Sequence, residues 1–363
     1  MAILIFMSVY MHLGGGPFWG QLENVVVAPC MKLWKPLLFV DNLVDNGESM
    51  CMGWGWYLQN DMQIFFFSLI VLLIYSKNHF AAYIFSLATI IGSFIYSFVV
   101  TMTNEYVLVA HLVDFAKWNR YFPDVYIKPW SRCPPYLYGL IMGTFFVQFL
   151  ARKKRGDDDY IVVRLQQKLK SSKYVKWGLE ITGLLIMAFI LLIPRTLQVG
   201  YVWPQFVESM FLTFSKTGFV VGLSLTITPS LLGVPSKVAF FMDTKFFNFI
   251  SKVSFWAYLI HYMVLMRTDY LQMTDFYYAP ITVFPSYVSH CVGAVFFGFV
   301  GTMLVEVPFS KLEKKLFEVF LSKEKRKTYL TESLQTSNTI IEQSLGRSLQ
   351  ELVKTSMTDK LDL

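Results

Sequence analysis

His79–Thr101 reads HFAAYIFSLATIIGSFIYSFVVT, a run with no Asp, Glu, Lys or Arg. At about 1.5 Å of rise per residue, a helix of this length crosses the ~30 Å hydrocarbon core of a bilayer. A helix apolar on every side belongs in lipid rather than against water. Working outward, six more runs have the same character: about Asp61 to Ser76, Tyr136 to Ala151, Lys176 to Pro194, Phe206 to Thr228, Phe246 to Met266 and Ser286 to Val307. A shorter one, Met1 to Leu13, precedes them. The expected fold is all-α, a multi-pass transmembrane helix bundle of about eight membrane segments. Asp61–Ser76 and Tyr136–Ala151 are short for a full crossing, so both are expected to extend into their flanks.

Composition agrees with this reading. The chain has 363 residues, 55% of them hydrophobic and 16% charged, with mean hydropathy +0.46. Soluble domains carry about 25% charged residues. A net charge of +7 could suggest nucleic acid, but the basic residues form no stripe among aromatics. They flank the apolar runs instead, so the expected partner is the lipid bilayer and not nucleic acid. Arg152, Lys153, Lys154 and Arg155, continued by Arg164, Lys168, Lys170, Lys173 and Lys176, form the densest basic loop. Lys311, Lys314, Lys315, Lys323, Lys325, Arg326 and Lys327 form the second cluster. Four spans separate the two, which puts both on one side, and the positive-inside bias makes that side cytosolic. A transmembrane domain over 1–309, with a cytosolic loop at 152–175 and lumenal loops at 14–60 and 104–134, is therefore expected. The cytosolic tail, 310–363, would begin as an amphipathic surface helix and continue disordered. Met1 to Leu13 lacks a basic start and a small-residue cleavage site, which favours a truncated span over a signal peptide.

Cys30 and Cys51 share the first lumenal loop, where a disulfide is expected and two free thiols are the alternative. Cys133 has no obvious partner, and Cys291 reads as a small apolar residue within the last span.

Ionisable groups inside spans are costly and mark functional sites. Lys216 stands mid-span among Ser215 and Thr217. It either faces an anionic ligand or pairs within the bundle, Glu208 being the nearest acid on its own helix. His261 lies at similar depth on the next span, where imidazole suits proton transfer but also ordinary packing. Glu306 stands at the cytosolic border. Trp130 and Arg132 sit in Tyr126-Ile127-Lys128-Pro129-Trp130-Ser131-Arg132, which reads as an aromatic-belt anchor, with the Arg132 fork also suited to a phosphate or carboxylate. No P-loop, G-x-S-x-G elbow or Cys/His metal spacing is present, so no metal and no bound cofactor are expected.

Several stretches, in order, resemble the nose-resistant-to-fluoxetine proteins of invertebrates, a branch of the acyltransferase-3 superfamily. They are Gly16-Pro17-Phe18-Trp19, Cys30 with Trp34, Asp41-Asn42, and Cys51 followed by Trp56-Tyr57-Leu58-Gln59-Asn60-Asp61-Met62-Gln63. Next come Tyr126 to Arg132 with Pro135-Tyr136-Leu137-Tyr138-Gly139, then Tyr258-Leu259-Ile260-His261, and Glu306-Val307-Pro308 with Leu312-Glu313-Lys314. The resemblance implies transfer of an acyl group, with acyl-CoA as co-substrate, to a hydroxyl on a lipid or other small acceptor. It implies catalytic roles for His261, Arg132 and Glu306, and substrate contacts for Asp61 and Trp130. Lys216 joins the substrate contacts on membrane energetics alone. A lipid or drug transporter, or a non-catalytic membrane protein of the same family, is the other reading. Endoplasmic reticulum or plasma membrane is the expected location. Family members begin with a helix bearing an Arg and a catalytic-type His, and this chain is expected to lack that N-terminal part.

Overall fold

The computed structural model describes residues 19, 28–30, 32–44, 50–108, 115–198, 203–270 and 279–320. The short first segment, Met1–Leu13, and the tail beyond 320 lie outside them. The chain divides into two compact units, Met1–Gly298 and Phe299–Leu363. Among the described residues there are helices and turns but no strand. The longer helices are α1 (Trp56–Lys77), α2 (His79–Thr103), α3 (Pro129–Lys154), α4 (Ile161–Ser171), α5 (Lys173–Leu192), α6 (Gln205–Leu231), α7 (Lys245–Tyr270), α8 (Pro280–Gly301) and α9 (Val307–Phe320). Seven of the described helical stretches are long and apolar enough to cross a membrane. The protein is a multi-pass membrane helix bundle.

The bundle turns its apolar side outward. On α2 the buried positions are Ala82, Ser86, Ile90, Ser93, Ser97 and Thr101, spaced three or four apart along one face. Phe80, Ile84, Leu87, Ile91, Ile95 and Val99 are exposed. Lipid is as apolar as these side chains, so helices associate through close packing of small residues and hydrogen bonds rather than by burying hydrophobic surface. The α5–α6 crossing shows the limit of that packing. A Cβ on Gly183 would lie 2.4 Å from the carbonyl oxygen of Gly222 and 2.4 Å from Thr226 Oγ1. Between α7 and α8, a Cβ on Gly298 would come within 2.7 Å of the Ala257 amide nitrogen.

Two expected lumenal loops are shorter than the sequence suggested. α1 starts at Trp56 and α3 at Pro129, so 56–60 and 129–134 are helix. The polar run Gln59-Asn60-Asp61 and the pair Pro134-Pro135 hide those starts from a hydropathy reading. The basic loop is also partly ordered, since α4 packs Val163 and Leu169 against Phe149, Leu232 and Val234.

Cross-helix bonds set the relative heights. Gln205 Nε2 donates to the Thr101 carbonyl at 3.0 Å, which levels the start of α6 with the end of α2. Ser93 Oγ donates to the Trp130 carbonyl, and Tyr83 OH and Thr144 Oγ1 are 3.2 Å apart. α3 therefore begins beside Ser93, ten residues or about 15 Å short of the Thr103 end of α2. The chain just before α3 is recessed into the bundle rather than lying above it.

Candidate functional site

Recessed backbone must satisfy its polar groups inside the protein. Four successive carbonyls show how this is done. Asp124 O accepts from Tyr96 OH at 2.8 Å and Val125 O from Ser131 Oγ at 2.6 Å. Tyr126 O accepts from Arg132 Nε at 2.7 Å and Ile127 O from Asn42 Nδ2 at 3.0 Å. Three of these residues, Asp124 to Tyr126, belong to a π-helical turn, Phe122–Tyr126. Pro134 has no amide hydrogen for the Trp130 carbonyl, and Ser93 Oγ supplies the donor in its place.

Asn42 is fully buried and ties this segment to α1. Its amide nitrogen donates to Asn60 Oδ1 at 2.9 Å, its Oδ1 accepts from Gln63 Nε2 at 2.8 Å, and its backbone N–H donates to Gln59 Oε1 at 2.8 Å. Lys128 Nζ donates to the Asn42 carbonyl at 3.1 Å, and burial pushes the Lys128 ammonium below the usual lysine range. Asp41 Oδ2 accepts from the Cys51 amide at 2.7 Å, beside the disulfide Cys30–Cys51 (S–S 2.05 Å). Tyr106 OH donates to Asp124 Oδ2 at 2.6 Å, and burial raises the Tyr106 phenol. Tyr121, almost fully buried, is pushed up to about 12 by desolvation.

Arg132 stands where these elements meet. Its guanidinium carbon lies 4.3 Å from the Tyr126 ring centroid and 4.6 Å from that of Trp56. Stacking on π faces suits a planar, weakly hydrated cation. Nη2 is shut off from solvent and has no hydrogen-bond partner among the described residues. The guanidinium is thus part of the protein interior, not the belt anchor that its neighbours suggested. Lys216 on α6 is half-buried, with Arg132 acting on it electrostatically. The suggested Lys216–Glu208 pairing is not made, because the Glu208 carboxylate accepts from the Leu108 amide at 2.9 Å.

His261 lies on α7. Its Nδ1 contacts the Tyr258 carbonyl oxygen, an acceptor only, so Nδ1 carries a hydrogen, and in the neutral imidazole Nε2 is then the acceptor. Tyr258 OH donates to the Trp54 carbonyl, and Trp54 Nε1 donates to the Leu259 carbonyl at 3.1 Å. Aromatic contacts link Tyr258 to Tyr57 (6.0 Å), Tyr57 to Trp56 (5.9 Å), and Trp56 to Arg132. His261 and Arg132 therefore belong to one aromatic wall without touching. Asp61 is exposed on α1, and Trp130 is 43% exposed on α3 with Lys128 Nζ 5.7 Å from its ring, so neither joins that wall. Glu306 is an exposed residue of the C-terminal unit, at the end of a π-helical turn. A separate apolar cavity of about 660 Å³ is lined by Phe189, Ile193, Trp203, Val207, Met210 and Phe214. Among the described residues no His, Cys, Asp and Glu cluster is suited to a metal.

Comparison with known proteins finds Nose resistant to fluoxetine protein 6 of Caenorhabditis elegans, 23% identical over 328 residues. This chain is a relative of the nose-resistant-to-fluoxetine proteins. The match takes in 87% of this chain but 38% of the worm protein, so the chain spans well under half of its relative's length. No family model matches the chain, and no solved structure matches it.

In this chain, the stretches that carried the resemblance fall largely on the recessed segment and its partners. Asp41-Asn42, Gln59-Asn60 and Tyr126 to Arg132 form the hydrogen-bonded lock, and Trp56 and Tyr258 form the aromatic wall. Sequence reading missed Asn42, Gln63 and Ser93 as a working group. Each is uncharged, and each acts through a partner at least 21 residues away.

Proposed function

We propose that the chain is the membrane part of an acyltransferase-like protein that moves an acyl group from acyl-CoA to a hydroxyl of a lipid or other small acceptor. The observation that carries this is His261, whose Nδ1 is fixed by its own helix while Nε2 has no partner among the described residues. An imidazole so oriented is a general base. Nε2 would take the proton of the acceptor hydroxyl as its oxygen attacks the thioester carbonyl. The C–S bond then breaks, the ester forms, and the thiolate of CoA leaves with the proton from His261. Positive charge from Arg132 and Lys216 would favour anionic groups of the reactants. The acyltransferase-3 resemblance and the kinship with a nose-resistant-to-fluoxetine protein support the same reading. Location in the endoplasmic reticulum or plasma membrane, with a cytosolic C-terminus, belongs to this proposal.

The test is label transfer from acyl-CoA to acceptor lipids by the full chain in nanodiscs. Transfer that falls at least about 100-fold in His261→Gln supports the assignment, on the usual scale of general-base catalysis. Transfer unchanged in that variant removes His261 from the reaction. The apolar cavity favours a second reading, binding or transport of a lipophile without chemistry. Uptake of a lipophilic probe into vesicles containing the chain, in the absence of any label transfer, would select it.

A further inference from the structure

Arg132 and Lys216 lie within the bundle, and neither pairs with an acid among the described residues. Arg132 donates through Nε to Tyr126 O, packs against the Trp56 and Tyr126 rings, and keeps Nη2 buried without a partner among those residues. Lys216 makes no hydrogen bond or ion pair among those residues. The nearby acids are occupied elsewhere: Glu208 by the Leu108 amide and Asp124 by Tyr106 OH.

Helix register places the two cations at one height. Tyr138 OH and Ser224 Oγ are 2.8 Å apart, joining α3 to α6. Arg132 precedes Tyr138 by six residues and Lys216 precedes Ser224 by eight, about 9 and 12 Å along parallel helices. A second path agrees. Lys216 is eleven residues, about 16 Å, below Gln205 at the rim; Trp130, beside Ser93, is about 12 Å below the Thr101 level that Gln205 marks, and Arg132, two residues further, about 15 Å. Arg132 is also the charged group that acts electrostatically on Lys216.

We infer that Arg132 and Lys216 together form an intramembrane site for one oxyanion, the carboxylate or phosphate of an amphipathic ligand whose apolar part remains among the helices. Two like charges held together in low dielectric repel each other, and an anion between them turns that repulsion into attraction. The fixed guanidinium presents its Nη2 edge to one oxygen, and the flexible ammonium completes the contact. The Nε bond to the Tyr126 carbonyl and the contacts with the Trp56 and Tyr126 rings tie the guanidinium to the recessed segment. The site names the group recognised by the acyl- or lipid-handling protein proposed above and rests on that reading.

The full chain in nanodiscs should be titrated with oleate, with methyl oleate, which keeps the chain but not the charge, and with inorganic phosphate. Oleate is expected to bind about tenfold or more tightly than methyl oleate, as a charge-assisted contact requires. That ratio should fall to near one in Arg132→Gln and Lys216→Met. Because Arg132→Gln also removes packing against two rings, Lys216→Met is the deciding variant: it fills similar volume, and without ligand it should melt no lower than the parent. Equal affinity for oleate and methyl oleate overturns the site, as does a ratio unchanged in Lys216→Met. Phosphate that displaces oleate supports the site and assigns it to a free anion, while oleate binding untouched by phosphate supports it and assigns it to a membrane amphiphile. Charge discrimination without acyl transfer would leave this site standing and end the enzymatic reading, and transfer without discrimination would do the reverse.

Discussion

Asn42 uses its whole amide inside the protein. Nδ2 serves Asn60 and the Ile127 carbonyl, Oδ1 takes a hydrogen from Gln63, and the backbone on either side bonds Gln59 and Lys128. An apolar side chain of similar size would orphan several of these groups at once. Asn42→Leu should therefore cost roughly 2–4 kcal/mol, since each buried group left unsatisfied costs about 1–3. The measurement is the thermal midpoint of the detergent-solubilised protein. Asp61→Asn, which changes an exposed side chain on the adjoining turn, should leave the midpoint where it is. If both variants shift it equally, the lock contributes little to stability.

Among the helices, the α5–α6 crossing depends on the absence of a side chain. Gly183→Val would drive a branched Cβ into the Gly222 backbone and Thr226, with no flexible atom to yield. Overpacking of this kind costs about 1–3 kcal/mol or more, seen as a lower melting midpoint or loss of monodisperse protein. Gly178→Ala, earlier on the same helix, meets nothing within 4 Å and should be silent. The helices themselves were legible in the sequence, because long apolar runs without charge admit few other structures. Their recessed ends were not. Gln59 and Asn60 read as loop by polarity, yet they are helical and, with Gln63, partnered across the bundle. Arg132 could be singled out by residue type, and His261 by residue type and depth. The rings around Arg132 could not, since Trp56 and Tyr126 meet only after α1 and α3 have packed. The disulfide was readable from compartment logic, because two cysteines shared one loop expected on the oxidising side.

For the whole molecule, the placement of charge predicts sidedness. The loop holding Asp158 and the tail beyond Phe320 are separated by four of the candidate spans. A single new cysteine at Asp158 and another at the tail's end should therefore react with a membrane-impermeant maleimide from the same side. The Cys30–Cys51 region, once reduced, should react from the opposite side. Labelling of the two introduced cysteines from opposite faces would mean that one of the four helices does not cross, and the basic loop would lose its role as the topological reference.

The recessed segment also bears on how this protein can change over evolutionary time. Connecting segments usually gain and lose residues freely because they lie on the surface. Here the carbonyls of Asp124, Val125, Tyr126 and Ile127 are each met by a donor from a different place, namely Tyr96, Ser131, Arg132 and Asn42. Inserting or deleting one residue between Phe122 and Lys128 would move all four out of step together, and no single compensating substitution could restore them. Length variation among homologues should accordingly avoid this stretch, even where its side chains differ.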